Sequence, residues 1–113
     1  MNCNIDVTPD FAKALKKLAK RYPSIKDDYT DFLDALRKNP LAGTELGKHL
    51  RKVRFPIASK NKGKSGGARV ITHTIILEYD ETNITLVTIY DKSDMVNISE
   101  KELRQLIARN GLK

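Results

Sequence analysis

The apolar residues of this chain change their period once, and that change constrains the fold more than any other feature. Up to Asn39-Pro40 they recur every three or four positions: Phe11, Leu15, Leu18, Ala19 and Tyr22, then Ile25, Tyr29, Phe32, Leu33 and Leu36. This is the spacing of one face of an α-helix. After Leu46 the rhythm shortens. Val53, Phe55 and Ile57 alternate with Lys52, Arg54 and Pro56, the two-residue period of a strand with one buried side.

Local signals set the boundaries. Thr8-Pro9-Asp10 reads as a helix start, with a hydroxyl cap, a proline in the first turn and an acid at the positive helix end. Pro23 stops that helix, Ser24 is placed to cap a second, and the tight connection predicts an antiparallel helical hairpin. Asn4 to Val7 fits a short edge strand. Ala68 to Leu77 and Ile84 to Tyr90, rich in Val, Ile and Thr, are the strongest strand segments, joined by a turn at Asp80 to Asn83. Ser99-Glu100-Lys101-Glu102 is a capping box opening a last helix with Leu103, Leu106 and Ile107 on its apolar side and Asn110-Gly111 at its end. The 113 residues suffice for one domain. The order predicts an α+β fold: an N-terminal helical hairpin packed on a small antiparallel β-sheet, with a short C-terminal helix. The helices are expected on one sheet face, leaving the other partly open for function.

Charge is distributed unevenly. The net charge is +7, and between Leu46 and Leu77 stand Lys48, Arg51, Lys52, Arg54, Lys60, Lys62, Lys64 and Arg69 with no Asp or Glu. The rest of the chain therefore sums to −1. A cationic segment of this kind implies a polyanionic partner; the competing reading is a solvated lysine-rich loop. The segment does not read as an amphipathic helix, and no apolar run approaches the ~20 residues that span a bilayer, so no membrane partner is expected. MNCNIDVTPD lacks a basic stretch followed by an apolar one, and Cys3 is the single cysteine, which together fit a cytoplasmic protein.

Several chemistries lack their residues. No cysteine pair, HExxH or carboxylate–histidine cluster supports a metal, and no cofactor is expected. Gly63, Gly66 and Gly67 are too sparse for a phosphate loop of the GxxxxGK[ST] kind. Neither His49 nor His73 has a catalytic motif around it. What remains is a cationic strand surface. With Val53 and Phe55 in the core, Lys52 and Arg54 share the opposite face, about 7 Å apart. Arg69 opens the neighbouring strand, and Lys92 follows the third. RNA brings its own nucleophile, the 2′-hydroxyl, so such a patch needs only to align it, remove a proton, stabilise the phosphate charge and assist the leaving oxygen.

GKSGGARVI (Gly63 to Ile71) resembles the glycine-rich turn and arginine-led strand of RelE-type toxins, especially the HigB-like branch. IYDKSDMVNISEKEL (Ile89 to Leu103) resembles that branch's aromatic-x-Lys segment and the helix start after it, and KVRF (Lys52 to Phe55) is similar to the basic strand of RelE itself. The resemblance, to the RelE/ParE superfamily of type II toxin–antitoxin systems, covers nearly the whole chain. It implies a monomeric toxin, silenced by a cognate antitoxin. Its activity would be that of a metal-independent, ribosome-dependent endoribonuclease cutting messenger RNA in the A site, with ribosomal RNA and mRNA as partners. On this resemblance Arg69 is the arginine that stabilises the transition-state phosphate. Lys52 and Arg54 are the two basic strand residues, one of them the base, and Lys92 supports the leaving group. Tyr90 is close to an aromatic that stacks on a base, against the alternative of a core-edge aromatic. The basic turn is longer than in RelE, which makes Lys60, Lys62 and Lys64 candidate RNA contacts. No Glu/His acid–base pair of the kind some relatives use is found, and His73 reads better as a structural histidine. A ParE-like inhibitor of DNA gyrase, without nuclease activity, is the alternative.

Overall fold

The computed structural model describes residues 2–60, 67–78 and 80–112. In chain order it runs β1 (Asn2–Val7), α1 (Pro9–Arg21), α2 (Ile25–Lys38), β2 (Thr44–Gly47), β3 (Leu50–Phe55), a 3₁₀ turn (Ala58–Lys60), β4 (Ala68–Glu78), β5 (Glu81–Asp91) and α3 (Glu100–Arg109). Five strands form one sheet in the order β1-β5-β4-β3-β2.

Thr8 sets the direction of the first strand. Its hydroxyl accepts from Phe11 N at 3.0 Å and donates to Val87 O at 2.7 Å, while its own N–H donates to Leu86 O at 3.1 Å. One residue caps α1 and fastens it to β5. The strand leading into it runs parallel to β5, with Ile5 opposite Ile84. The sheet is therefore mixed, which corrects the antiparallel expectation. The other three pairings are antiparallel. A further strand, β2, was not foreseen. It is four residues long and largely exposed, so it carries no alternation to read. The β4–β5 turn is tighter than expected, since Glu78 already pairs with Glu81.

The helix starts differ in one respect from the reading above. Ser99 Oγ accepts from Glu102 N at 3.1 Å, as a cap should. Ser24 makes no capping bond; its hydroxyl donates to Asp28 Oδ2 at 2.6 Å and lies 2.8 Å from Ser59 Oγ, tying α2 to the 3₁₀ turn.

Two apolar clusters sandwich the sheet. Phe11 and Leu18 of α1 and Ile25, Phe32 and Leu36 of α2 pack with Val53, Phe55, Val70, Ile84, Leu86 and Ile89. Leu106 of α3, with Met95, Ile98, Leu103 and Ile107 beside it, packs on Leu50, Ile71, Val87 and Tyr90. Neighbours such as Val70/Ile71 and Ile89/Tyr90 fall in different clusters because successive strand side chains point to opposite faces. Each fully buried large aliphatic or aromatic side chain contributes about 1.5–3 kcal/mol. The second face is thus partly closed by α3, not left wholly to the site. α3 is also latched to the start of α1: Arg109 and Asn110 both donate to Asp10, at 3.1 and 2.9 Å. The Asn110 and Arg109 bonds outweigh partial burial and hold the Asp10 carboxyl below its ordinary range.

Candidate active site

Strand alternation places the cations. Val53 and Phe55 lie in the first cluster, so Lys52 and Arg54 take the other side of β3, Lys52 half-buried and Arg54 exposed. The ladder puts Arg54 directly opposite Arg69 on β4, and Arg69 directly opposite Tyr90 on β5. Lys52 stands two pairs further along, opposite Ile71. Directly opposed residues have Cβ atoms about 4.5–5.5 Å apart, and like charges there are destabilising. Among the described residues, neither arginine nor Lys52 has a carboxylate within ion-pairing distance, whereas Arg21, Arg51, Lys60 and Arg109 all do. Arg69 Nη1 donates to Ala68 O at 3.0 Å, and two arginines opposite each other with no carboxylate partner among the described residues leave room for an external anion.

Lys52, Arg54 and Arg69 border a cavity of about 650 Å³ between α2 and β3, while strand alternation sets their side chains on the sheet face opposite Val53 and Phe55. Its other walls are apolar (Phe32, Ala35, Val53 and Pro56 among them), with Asp28 and Asp31 on the helix side. Asp28 is engaged, accepting from Ser24 Oγ and from Ala58 N. Glycine is required where the strands meet: a Cβ on Gly67 would lie 2.5 Å from Phe55 O, so a larger residue would push the start of β4, and Arg69 with it, away from β3.

Lys92 does not line the cavity. It follows β5 directly, and its N–H donates to Gly67 O at 3.2 Å, which keeps it beside the start of Arg69's strand. Tyr90 is only 7% exposed and packs in the second cluster, with little of its ring open to a base. Burial pushes its phenol above the ordinary range, against the Ile98 backbone and the Arg69 charge. His73 is buried, pairs with Leu50 across the ladder and meets the His49 ring edge-on at 5.8 Å. Cys3 is half-buried against the core, and burial raises its thiol, which suits an inert residue.

Lys60 corrects the reading of the basic turn. Its side chain is 7% exposed, and Nζ pairs with Asp91 Oδ1 at 2.5 Å, where the sequence suggested an open, solvated cation. Lys62 and Lys64 lie outside the described residues. Asp91 is the centre of this arrangement. It also accepts from Tyr22 Oη at 2.5 Å, from Arg21 Nη1 at 3.0 Å, and from Ser93 N and Oγ at 2.9 and 2.6 Å. Burial would raise its carboxyl, but the bonds from Lys60, Ser93 and Tyr22 win and hold it well below the carboxylate range. The cluster joins the end of α1, the residue before position 61 and the turn that carries Lys92. The sequence gives one signal for it: Asp91 is in phase with Ile89 on the core side of β5, where an acid has to be paired.

The protein is of the α+β class, with Arg54 and Arg69 opposite each other on the sheet and no carboxylate partner for either among the described residues. The sequence matches, over residues 11–110, the family description of the RelE toxin of the RelE/RelB toxin–antitoxin system. The chain belongs to that family. It is a toxin of the toxin–antitoxin kind, and the family implies a cognate antitoxin as its partner. No helix among the described residues is long and apolar enough to cross a membrane.

Proposed function

We propose that this toxin cuts messenger RNA in the ribosomal A site by 2′-hydroxyl attack, without a metal, and that its cognate antitoxin silences it. The carrying observation is the Arg54–Arg69 pair, directly opposed on the ladder and with no carboxylate in ion-pairing distance among the described residues, with Lys52 on the same face of β3. A pentacoordinate phosphate bears more negative charge than its diester, and two preset guanidinium groups stabilise it without reorganising. Of the three basic residues on β3, only Lys52 can release a proton, because arginine stays charged. Lys52 therefore takes the 2′-hydroxyl proton as the 2′-oxygen bonds to phosphorus. The bond from phosphorus to the 5′-oxygen breaks, leaving a 2′,3′-cyclic phosphate, and the departing 5′-oxygen gains a proton on the side where Lys92 stands. Lys62 and Lys64 extend the RNA contact.

The test is cleavage of messenger RNA on purified, programmed ribosomes, with end analysis of the products and a gyrase supercoiling assay in parallel. The expected result is ribosome-dependent cutting with cyclic-phosphate and 5′-hydroxyl ends, and no effect on gyrase. Inhibited supercoiling with intact mRNA would replace this reading with the gyrase one.

A further inference from the structure

Lys52 has one polar side-chain partner among the described residues, and it lies on a different part of the chain. Its Nζ donates to Asn97 Oδ1 at 2.9 Å. Asn97 belongs to the segment between β5 and α3, which is held down on either side of it. Met95 N donates to Asp91 O at 3.2 Å, Met95 and Ile98 pack into the second cluster, and Ser99 caps α3. Asn97 is thus presented to Lys52 by a fastened loop, although its own side chain is exposed.

We propose that Asn97 is a positioning residue that sets the direction of the Lys52 amine; this rests on the reading of Lys52 as the base. An amine must donate an N–H to something if its lone pair is to point in a fixed direction. The amide oxygen of Asn97 accepts that hydrogen and leaves the lone pair free for the 2′-hydroxyl. It does so without a negative charge. A carboxylate at the same place would favour the ammonium form, which cannot take a proton. Of the other charged groups, Arg54 lies on the same face of β3 as Lys52, and Arg69 lies opposite Arg54. Asp31 and the already engaged Asp28 lie on the α2 wall. Glu45 of the neighbouring strand is tied to Arg51, and Asp94 of the same loop to Arg21. Neutral asparagine as the direct partner adds nothing to hold the proton on.

The experiment compares wild type, Asn97→Asp and Asn97→Ala, each checked for unchanged thermal unfolding. Single-turnover cleavage on programmed ribosomes is followed across the neutral-to-alkaline range, and the Lys52 Cε resonance is titrated by NMR. In Asn97→Asp the pH of half-maximal cleavage rises by about one pH unit or more, the size of effect an adjacent opposite charge produces. The NMR midpoint moves with it, and the rate recovers at high pH. In Asn97→Ala the plateau rate falls by ~10- to 100-fold, as for a misplaced reacting group. A residue that merely supports the loop would leave the pH profile in place. Superimposable profiles for wild type and Asn97→Asp would overturn the assignment while leaving the nuclease reading intact. If wild type does not cut on the ribosome, the nuclease reading fails by itself. An NMR midpoint equal in wild type and Asn97→Asp then removes the Asn97 assignment too.

Discussion

Consider the charge cluster around Asp91 and the effect of replacing that residue by asparagine. The Asp91 side chain is wholly buried and that of Lys60 is 7% exposed, so the variant leaves an ammonium out of water beside a neutral amide. Breaking a buried ion pair from one side costs about 3–5 kcal/mol. At roughly 4 °C per kcal/mol for a domain of this size, the midpoint of thermal unfolding falls by ~12–20 °C. Lys60→Met is milder, because Asp91 keeps Tyr22, Arg21 and Ser93 as donors. The double variant removes both buried charges, and it is expected to recover ~1–3 kcal/mol relative to the sum of the single losses. The sign with pH follows from a folded carboxyl held below its unfolded value of about 3.9. The stabilisation is complete above that value and is lost as pH falls through the folded one, at up to ~1.4 kcal/mol per pH unit for one proton. Asp91→Asn therefore flattens the acid limb of the stability curve. Urea unfolding of the four proteins, monitored by circular dichroism over a range of acid pH, measures all of this. An Asp91→Asn loss under ~1 kcal/mol, or strict additivity of the two changes, would refute the claim that this pair is buried and coupled.

Three further outcomes are expected. Arg69→Ala relieves the like-charge pair, so its stability changes by no more than ~1 kcal/mol and in the favourable direction; its cleavage rate drops roughly 10²–10³-fold. A comparable loss of stability would show that Arg69 is structural. Thr8→Ala deletes a helix cap and its bond to Val87, and thermal unfolding should register a cost of ~1–2 kcal/mol. Gly67→Ala forces β4 from β3 and is expected to destabilise by ~1–3 kcal/mol; amide exchange at Phe55 and Arg69 should quicken more than at β1.

The fold was legible where one residue type dominated a short-range pattern. Helical spacing in Phe11 to Leu36, alternation in Val53 to Ile57 and the serine-led start of α3 all depend on neighbours within one turn or one strand. The direction of β1 was not legible, because it is fixed by Thr8 bonding to residues 86 and 87 across the sheet. β2 was missed because four exposed residues leave no hydrophobic trace. In the candidate site, alternation was enough to put Lys52, Arg54 and Arg69 on one sheet face. It failed for Lys60, whose neighbours in sequence are solvated-looking cations but whose neighbour in space is Asp91. Tyr90 was left open by the sequence, because nothing there shows that α3 folds back over it. Asn97 carries no local signal at all; its meaning comes only from the distance to Lys52.

The sheet joins segments made far apart in time. Asn4 and Asn83, bonded across the β1–β5 pairing, are separated by 79 positions. During synthesis β1 and the apolar side of α1 must wait for β5, the strand that receives them, which is made last. Pairings of such long reach form slowly. Until then a nascent chain of this toxin carries its cations on an unfinished sheet, and a folded, competent molecule exists only after the making of the last strand.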